Sequence, residues 1–260
     1  MFELISRCRL CGGDRLEEIL DLGEQPPANA LRLPADSRPQ AFPLALVRCE
    51  SCATAQLTVT VDPVLLFDNY VWVTGTASTT RAFSSDFCQH VLERYTDQDF
   101  EIPEGGGLVV EVASNDGTFL KRFQEFGWQV LGVDPARNIA ARAVGGGVPT
   151  ICDYFTVNVA RDIHRRSPAD IVLARNVIPH VADIHGVIEG MAGVLHDDGL
   201  AVIEFHYAGA ILGAVIVGVL EAVGRVLELC STHIGVGVAV VAVRAVADEA
   251  VGNLAGIGPN

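Results

Sequence analysis

The stretch LVVEVASNDGTFLKRF, residues 108–123, decides the fold. Apolar, mostly β-branched residues run through Glu111 to Val112. Small and polar residues follow, and then an amphipathic segment begins. That order predicts a strand, a tight turn and the start of a helix. What the turn holds is the functional question.

A phosphate loop would read GxxxxGK[ST], and the lysine is absent from the required place. A dinucleotide loop would read GxGxxG, and of its three glycines only Gly117 is present. A calcium loop needs alternating oxygen ligands and a closing glutamate, which the turn lacks. The remaining candidate is a cofactor carrying its own carboxylate and ammonium. Glu111 is expected to stay negative at the strand end and organise the loop, and the free N–H groups of the next helix favour an anionic group. S-adenosylmethionine fits these demands better than a nucleotide phosphate. The loop residues Ala113, Asn115 and Gly117 are its expected contacts. On the loop alone, a surface turn with no ligand explains the sequence equally well.

The chain of 260 residues allows one large domain or two small ones, and half of it is hydrophobic. A formal charge of −14 argues against nucleic acid as a partner. Lys121 is the one lysine, beside 17 arginines; together they make the 18 basic residues. The opening MFELISRCRLCGG lacks the apolar core of a signal peptide. The apolar stretches near the end are interrupted by Glu221, Arg225 and Glu228, and each falls short of a membrane span. The expectation is a soluble cytoplasmic protein with no membrane partner.

Seven cysteines in such a chain are not a disulfide framework. Four of them pair as Cys8-x-x-Cys11 and Cys49-x-x-Cys52. A CxxC turn points two thiolates at one tetrahedral ion, and two such turns close a four-cysteine zinc site. Cys88, Cys152 and Cys230 stand alone and are read as buried thiols.

Residues 1–60 are expected to form a small zinc-binding domain. Its core is too small for stability by packing alone, and a structural zinc would compensate. Between the knuckles, DLGEQPPANALRLPADSRPQAFPL reads as loop with short strands. Residues 61–104 are a connector. It carries the polar GTASTT and a helix over SSDFCQHVLERYT, with Ser84 or Ser85 as cap. From residue 105 to 207, strands alternate with helices, which predicts an α/β, doubly wound, Rossmann-like parallel sheet. Residues 208–260 are an Ala/Val/Gly-rich tail. It either completes the sheet, with a helix over VLEAVGRVLEL and a strand over IGVGVAVVAV, or is poorly ordered.

Ligands of such sheets bind at the carboxyl ends of the strands. Glu111, Asp134, Asp153, His180 and His206 all fall there or just beyond. Asp134 lies about twenty residues past the turn, where an acid can accept from both ribose hydroxyls. Asp153, Tyr154 and Phe155 offer an acceptor and an aromatic wall for an adenine. Asn176 is placed to support the methionine portion. Each acid alone also reads as a helix cap. His180 is a proton-transfer candidate, with His206 in reserve, although either also reads as a loop or packing residue.

Two CxxC knuckles, then NYVWVTGT, VVEVASNDGTFL, GVDPA, ARNVIPHVAD and IEFHY, occur in that order. The combination resembles the S-adenosylmethionine-dependent sugar C-methyltransferases of deoxysugar pathways in antibiotic-producing actinobacteria, over residues 5–207. The resemblance implies methylation of a nucleotide-linked 4-keto-6-deoxysugar at the carbon beside the ketone, through an enolate. It also implies that His180 lies in the sugar pocket and that Tyr70 belongs to an aromatic motif over the substrate. Oligomeric state is not legible.

After Tyr207 the sequence departs from the family, whose members carry a YHEH-like acid–base segment and a second α/β domain. The expectation is a chain truncated or altered after about residue 207, with impaired turnover. Two further readings stay open: a non-catalytic zinc- and cofactor-binding remnant, and a methyltransferase for another small molecule.

Overall fold

A computed structural model describes residues 1–33, 35–97, 103, 105–205, 227–230 and 237–241. They form two compact units, residues 1–72 with 182–184, and the remainder from residue 73. The segment expected as one connector is thus shared, residues 61–72 going to the first unit and residues 73–97 to the second.

In the first unit, strands β1 (Phe2–Leu4) and β5 (Val59–Val61) pair antiparallel. A three-stranded antiparallel sheet holds β2 (Leu16–Gln25), β3 (Phe42–Cys49) and β4 (Ala55–Leu57). β2 continues through Asp21–Gln25, the start of the stretch read from sequence as loop with short strands. It does so by slipping register between Asp21 and Glu24, where Gly23 takes φ +64°. A bulge absorbs the turn-forming residues without ending the strand. The short helix α1 (Pro63–Phe67) follows, with the Asp62 carboxylate accepting from the Val64 N–H.

In the second unit, helix α2 runs Ser78–Thr96. It begins a full turn and more before the serines expected to cap it. Ser84 is buried within the helix, and its hydroxyl donates back to the Arg81 carbonyl at 2.7 Å. A buried serine that bonds its own preceding turn no longer competes with the helix. A βα series then follows: β6 (Leu108–Val112), α3 (Thr118–Glu125), β7 (Gln129–Val133), α4 (Arg137–Gly145), β8 (Thr150–Ile151), α5 (Val157–Arg166), β9 (Ala169–Arg175), α6 (Ile184–Val194) and β10 (Leu195–Phe205). Strands β11 (Leu227–Cys230) and β12 (Gly237–Val241) close the sheet. Residues 227–229, read from sequence as helix, are therefore strand. The rest of that helix reading, with His206, Tyr207 and most of the tail, lies outside the described residues.

The sheet order is β11-β12-β10-β9-β6-β7-β8. β8, β7, β6, β9 and β10 are parallel neighbours, while β12 is antiparallel to both β10 and β11. An all-parallel dinucleotide fold has the order 3-2-1-4-5-6. Here an antiparallel strand is inserted beside the fifth. The doubly wound α/β expectation is met.

Alternation along the strands assigns the two faces. Val109, Ile171, Leu173, Leu200 and Val202 pack with Phe87 and Val91 of α2 and with Phe119, Leu120 and Phe123 of α3. Val110, Val112, Val172 and Ala174 pack with Ala160 and Ile163 of α5 and Met191 of α6. Val109 and Val110 have no exposed surface, and each such burial contributes roughly 1.5–3 kcal/mol. α3 ends where Gly127 takes φ +86° and the Trp128 N–H reaches back to the Phe123 carbonyl at 3.0 Å, a left-handed cap that only glycine adopts without cost. At the amino end of the sheet, Asp170 accepts from the Leu108 N–H (2.6 Å), the Tyr95 hydroxyl (3.3 Å) and His196 Nε2 (3.1 Å). This pins β6 to β9, α2 and the start of β10.

Candidate metal and cofactor sites

The two knuckles of the first unit are built alike. In each, the first cysteine's N–H donates five residues on, Cys8 to Gly13 and Cys49 to Thr54. Its carbonyl accepts four residues on, from Gly12 and from Ala53. Those two residues take left-handed φ, +72° and +60°. The four sulfurs lie within 4.8 Å of one another, with Cys8–Cys52 and Cys11–Cys49 each at 3.6 Å. A tetrahedral Zn–S bond of about 2.3 Å requires sulfurs about 3.8 Å apart, so the set fits one zinc with all four positions filled by protein.

The local electrostatics favour thiolates at Cys49 and Cys8, whereas at Cys11 the Gly13 N–H is outweighed by burial and the thiols of Cys52, Cys49 and Cys8, which push it up to about 12. Burial would raise the Cys49 thiol, but the N–H groups of Cys52 and Ser51 and the neighbouring thiols bring it down to about 6. Burial likewise opposes ionisation of Cys8, and the N–H groups of Cys11 and Leu10, with the Gln56 amide, outweigh it. Gln56 Nε2 donates to Cys8 Sγ at 3.1 Å. The zinc ligands expected from sequence are thus brought together as one cluster.

In the second unit, the turn after β6 has the backbone of a glycine loop with a single glycine, Gly117. Ala113, Asn115 and Gly117 take φ of +52°, +52° and +74°. A Cβ on Gly117 would stand 2.8 Å from Val148, so this position admits no side chain. The Asn115 and Asp116 side chains are committed to a strap that lies over the turn. Asn115 Oδ1 accepts from the Thr74 N–H at 2.9 Å, and Asp116 Oδ2 from the Gly75 N–H at 3.1 Å. The polar GTASTT segment is therefore a neighbour of this loop.

Asp134 follows β7 and is 5% exposed. Its two oxygens each accept a backbone N–H at 2.9 Å, Oδ2 from Asn115 and Oδ1 from Ala136. Burial raises its pKa, and these two N–H groups partly offset the rise. Asp134 holds the turn in shape with the oxygens the sequence reading reserved for ribose. Each retains a second lone pair. Asp153 is exposed and accepts from the Tyr154 N–H at 2.7 Å, with Tyr154 half-buried beside it. Asn176 follows β9 at φ +51° and is exposed; His180 ends the short 3₁₀ turn Ile178–His180 and is also exposed. Tyr70 belongs to the first unit, with its ring 6.3 Å from that of Phe67.

Glu111 departs from expectation. It is 2% exposed, and burial pushes its pKa up to about 8, with Glu204 adding to the rise and Arg175 opposing it. Desolvation in the sheet outweighs the attraction of a guanidinium that reaches Oε1 only at 3.6 Å, which favours the protonated form. Glu111 Oε2 and Ser114 Oγ are buried with no hydrogen-bond partner among the described residues. Unpartnered polar atoms at a ligand loop fit a polar group of a cofactor.

Two residues escaped the sequence reading. Arg175 donates from Nε and Nη2 to Glu204, at 3.2 and 3.3 Å, and its guanidinium stacks on Phe119 and Phe87. Glu204 is 2% exposed. The signal available was charge at the end of strands whose residues two positions earlier are core: Val109, Leu173 and Val202 precede Glu111, Arg175 and Glu204.

A five-strand parallel core with an inserted antiparallel strand, and a left-handed turn after its central strand, define an S-adenosylmethionine-dependent methyltransferase fold behind a four-cysteine zinc module. The comparisons agree: residues 82–214 match the family described as "Methyltransferase domain", to which the chain belongs, and residues 8–67 match one described as "Putative zinc binding domain". Over 206 residues the chain is 35% identical to "C-methyltransferase NovU" of Streptomyces niveus, covering 78% of this chain and 48% of that one. It is 31% identical over 117 residues to a "Ubiquinone biosynthesis O-methyltransferase" of Bradyrhizobium diazoefficiens, covering 42% and 46%. Among solved structures, the plantazolicin methyltransferase BamL with SAH is similar at 14% identity and a TM-score of 0.42, covering 52% and 49%. The chain spans about half the length of the curated relatives it matches. Among the described residues, no helix is long and apolar enough to cross a membrane.

Proposed function

We propose that the protein transfers the methyl group of S-adenosylmethionine to a carbon of a nucleotide-linked 4-keto-6-deoxysugar. The observation that carries the cofactor half is the turn at residues 113–117, left-handed at Ala113, Asn115 and Gly117 with no lysine to receive a phosphate. The substrate half rests on the likeness to a C-methyltransferase over 78% of the chain.

In this reading the left-handed turn takes the methionine portion, and Asp134, Asp153 and Tyr154 receive the ribose and the adenine. The bound cofactor supplies an electrophilic methyl group. The ketone acidifies the neighbouring carbon. His180 would take that proton, and the enolate carbon so formed would be the nucleophile for the cofactor's methyl group, whose S–CH₃ electrons would leave with a neutral thioether. The family resemblance adds Tyr70 as a residue of the substrate-recognition motif and His206 as reserve acid–base group. The test is transfer of labelled methyl to such a sugar nucleotide. With His180→Ala, turnover should fall by roughly 10²–10⁴ while cofactor affinity holds. Unchanged turnover removes His180 from the chemistry. Transfer to an unrelated small molecule, with none to the sugar, would favour the other substrate class.

A further inference from the structure

Asn176 is held by one residue from two sides. Its N–H donates to the Glu204 carbonyl at 2.6 Å, and its side-chain Nδ2 donates to Glu204 Oε1 at 3.0 Å. Glu204 is itself locked. Oε2 accepts from Arg175 Nε, Oε1 from Arg175 Nη2, and the guanidinium rests on Phe119 and Phe87. An asparagine at φ +51° bears a small conformational cost, and two hydrogen bonds to one buried residue offset it. The consequence is chemical. An asparagine amide has one donor end and one acceptor end. A carboxylate can only accept, so Glu204 fixes Nδ2 on itself and leaves Oδ1 as the end the loop offers.

We propose that Glu204, braced by Arg175, is a positioning residue that sets the polarity of Asn176, so that Asn176 Oδ1 accepts from the α-ammonium of the cofactor's methionine portion. The proposal rests on the cofactor reading above. It distinguishes Asn176 from the ribose and adenine contacts, because only the amino-acid end of the ligand carries that donor.

The test compares two probes by calorimetry: S-adenosylhomocysteine, which has the ammonium, and methylthioadenosine, which lacks the amino-acid end. The variants are Glu204→Gln, whose side chain presents either an amine or an oxygen to Asn176, and Asn176→Gly, which suits the left-handed backbone and removes the amide. Each should weaken S-adenosylhomocysteine about tenfold or more and leave methylthioadenosine within about twofold. The double variant should bind like Asn176→Gly, since Glu204 acts through Asn176. If Glu204→Gln fails to fold, Arg175→Lys keeps the charge but loses the fork and should show the same selectivity. Equal weakening of both probes, or additive losses in the double variant, would overturn the proposal while the cofactor site stands. Failure of the unaltered protein to bind either probe would remove the cofactor reading, and this proposal with it.

Discussion

Glu111→Gln tests the electrostatics beneath the cofactor turn. Glu111 is buried and its pKa is pushed from an ordinary 4.5 to about 8. Below pH 4.5 folded and unfolded chains both hold the proton, and its contribution to stability is fully present. Between 4.5 and 8 the unfolded carboxyl ionises while the folded one does not, so stability is lost as pH rises. Above 8 both are ionised and the loss stops. At about 1.36 kcal/mol per pH unit, the ceiling of that loss is about 5 kcal/mol. Glutamine keeps the shape and never ionises, so the variant should gain on the parent as pH rises. From pH 6 to pH 8 the gap should widen by about 2–3 kcal/mol. Urea denaturation of the zinc-loaded protein at pH 6, 7, 8 and 9, on both chains in parallel, measures the gap directly. Other titrating groups cancel in the comparison. A gap that stays flat, or narrows with pH, would refute the reasoning and mean that Arg175 keeps Glu111 charged.

Metal analysis should find about one zinc per chain, and Cys49→Ser with Cys52→Ser should abolish it and lower the stability of the first unit; metal-free protein of unchanged stability would contradict this. Asp134→Ala should cost about 1.5–3 kcal/mol of folding stability, through the lost bonds to Asn115 and Ala136, and weaken S-adenosylhomocysteine at least tenfold. A calorimetric affinity equal to that of the parent would place the ribose elsewhere. Asp170→Ala leaves the Leu108 N–H, the Tyr95 hydroxyl and His196 without their shared acceptor. It should lower stability by about 3 kcal/mol in urea with cofactor affinity unchanged, and a loss under 1 kcal/mol would show that water replaces the carboxylate.

The zinc set was legible because CxxC is local. Four residues close each knuckle, and chemistry joins the two whatever the path between them. The parallel sheet was legible from its alternation of strand and helix, and the carboxyl-end rule then pointed to Glu111, Asp134, Asp153, His180 and His206. The loop was harder. Counting glycines argued against a tight nucleotide-type turn, yet Ala113 and Asn115 take the left-handed conformation that glycines would supply. The surrounding sheet, the strap from Thr74 to Gly75 and the Asp134 carboxylate impose it, and those contacts join residues far apart in the chain. The charge state of Glu111 depends on how much water reaches it, and no local pattern reveals that. Arg175 and Glu204 lie 29 positions apart and meet only because β9 and β10 pair in one register. Residue types and spacing name which groups are present. Burial and strand register decide which are charged, which are already partnered, and which end of an amide is left for a ligand.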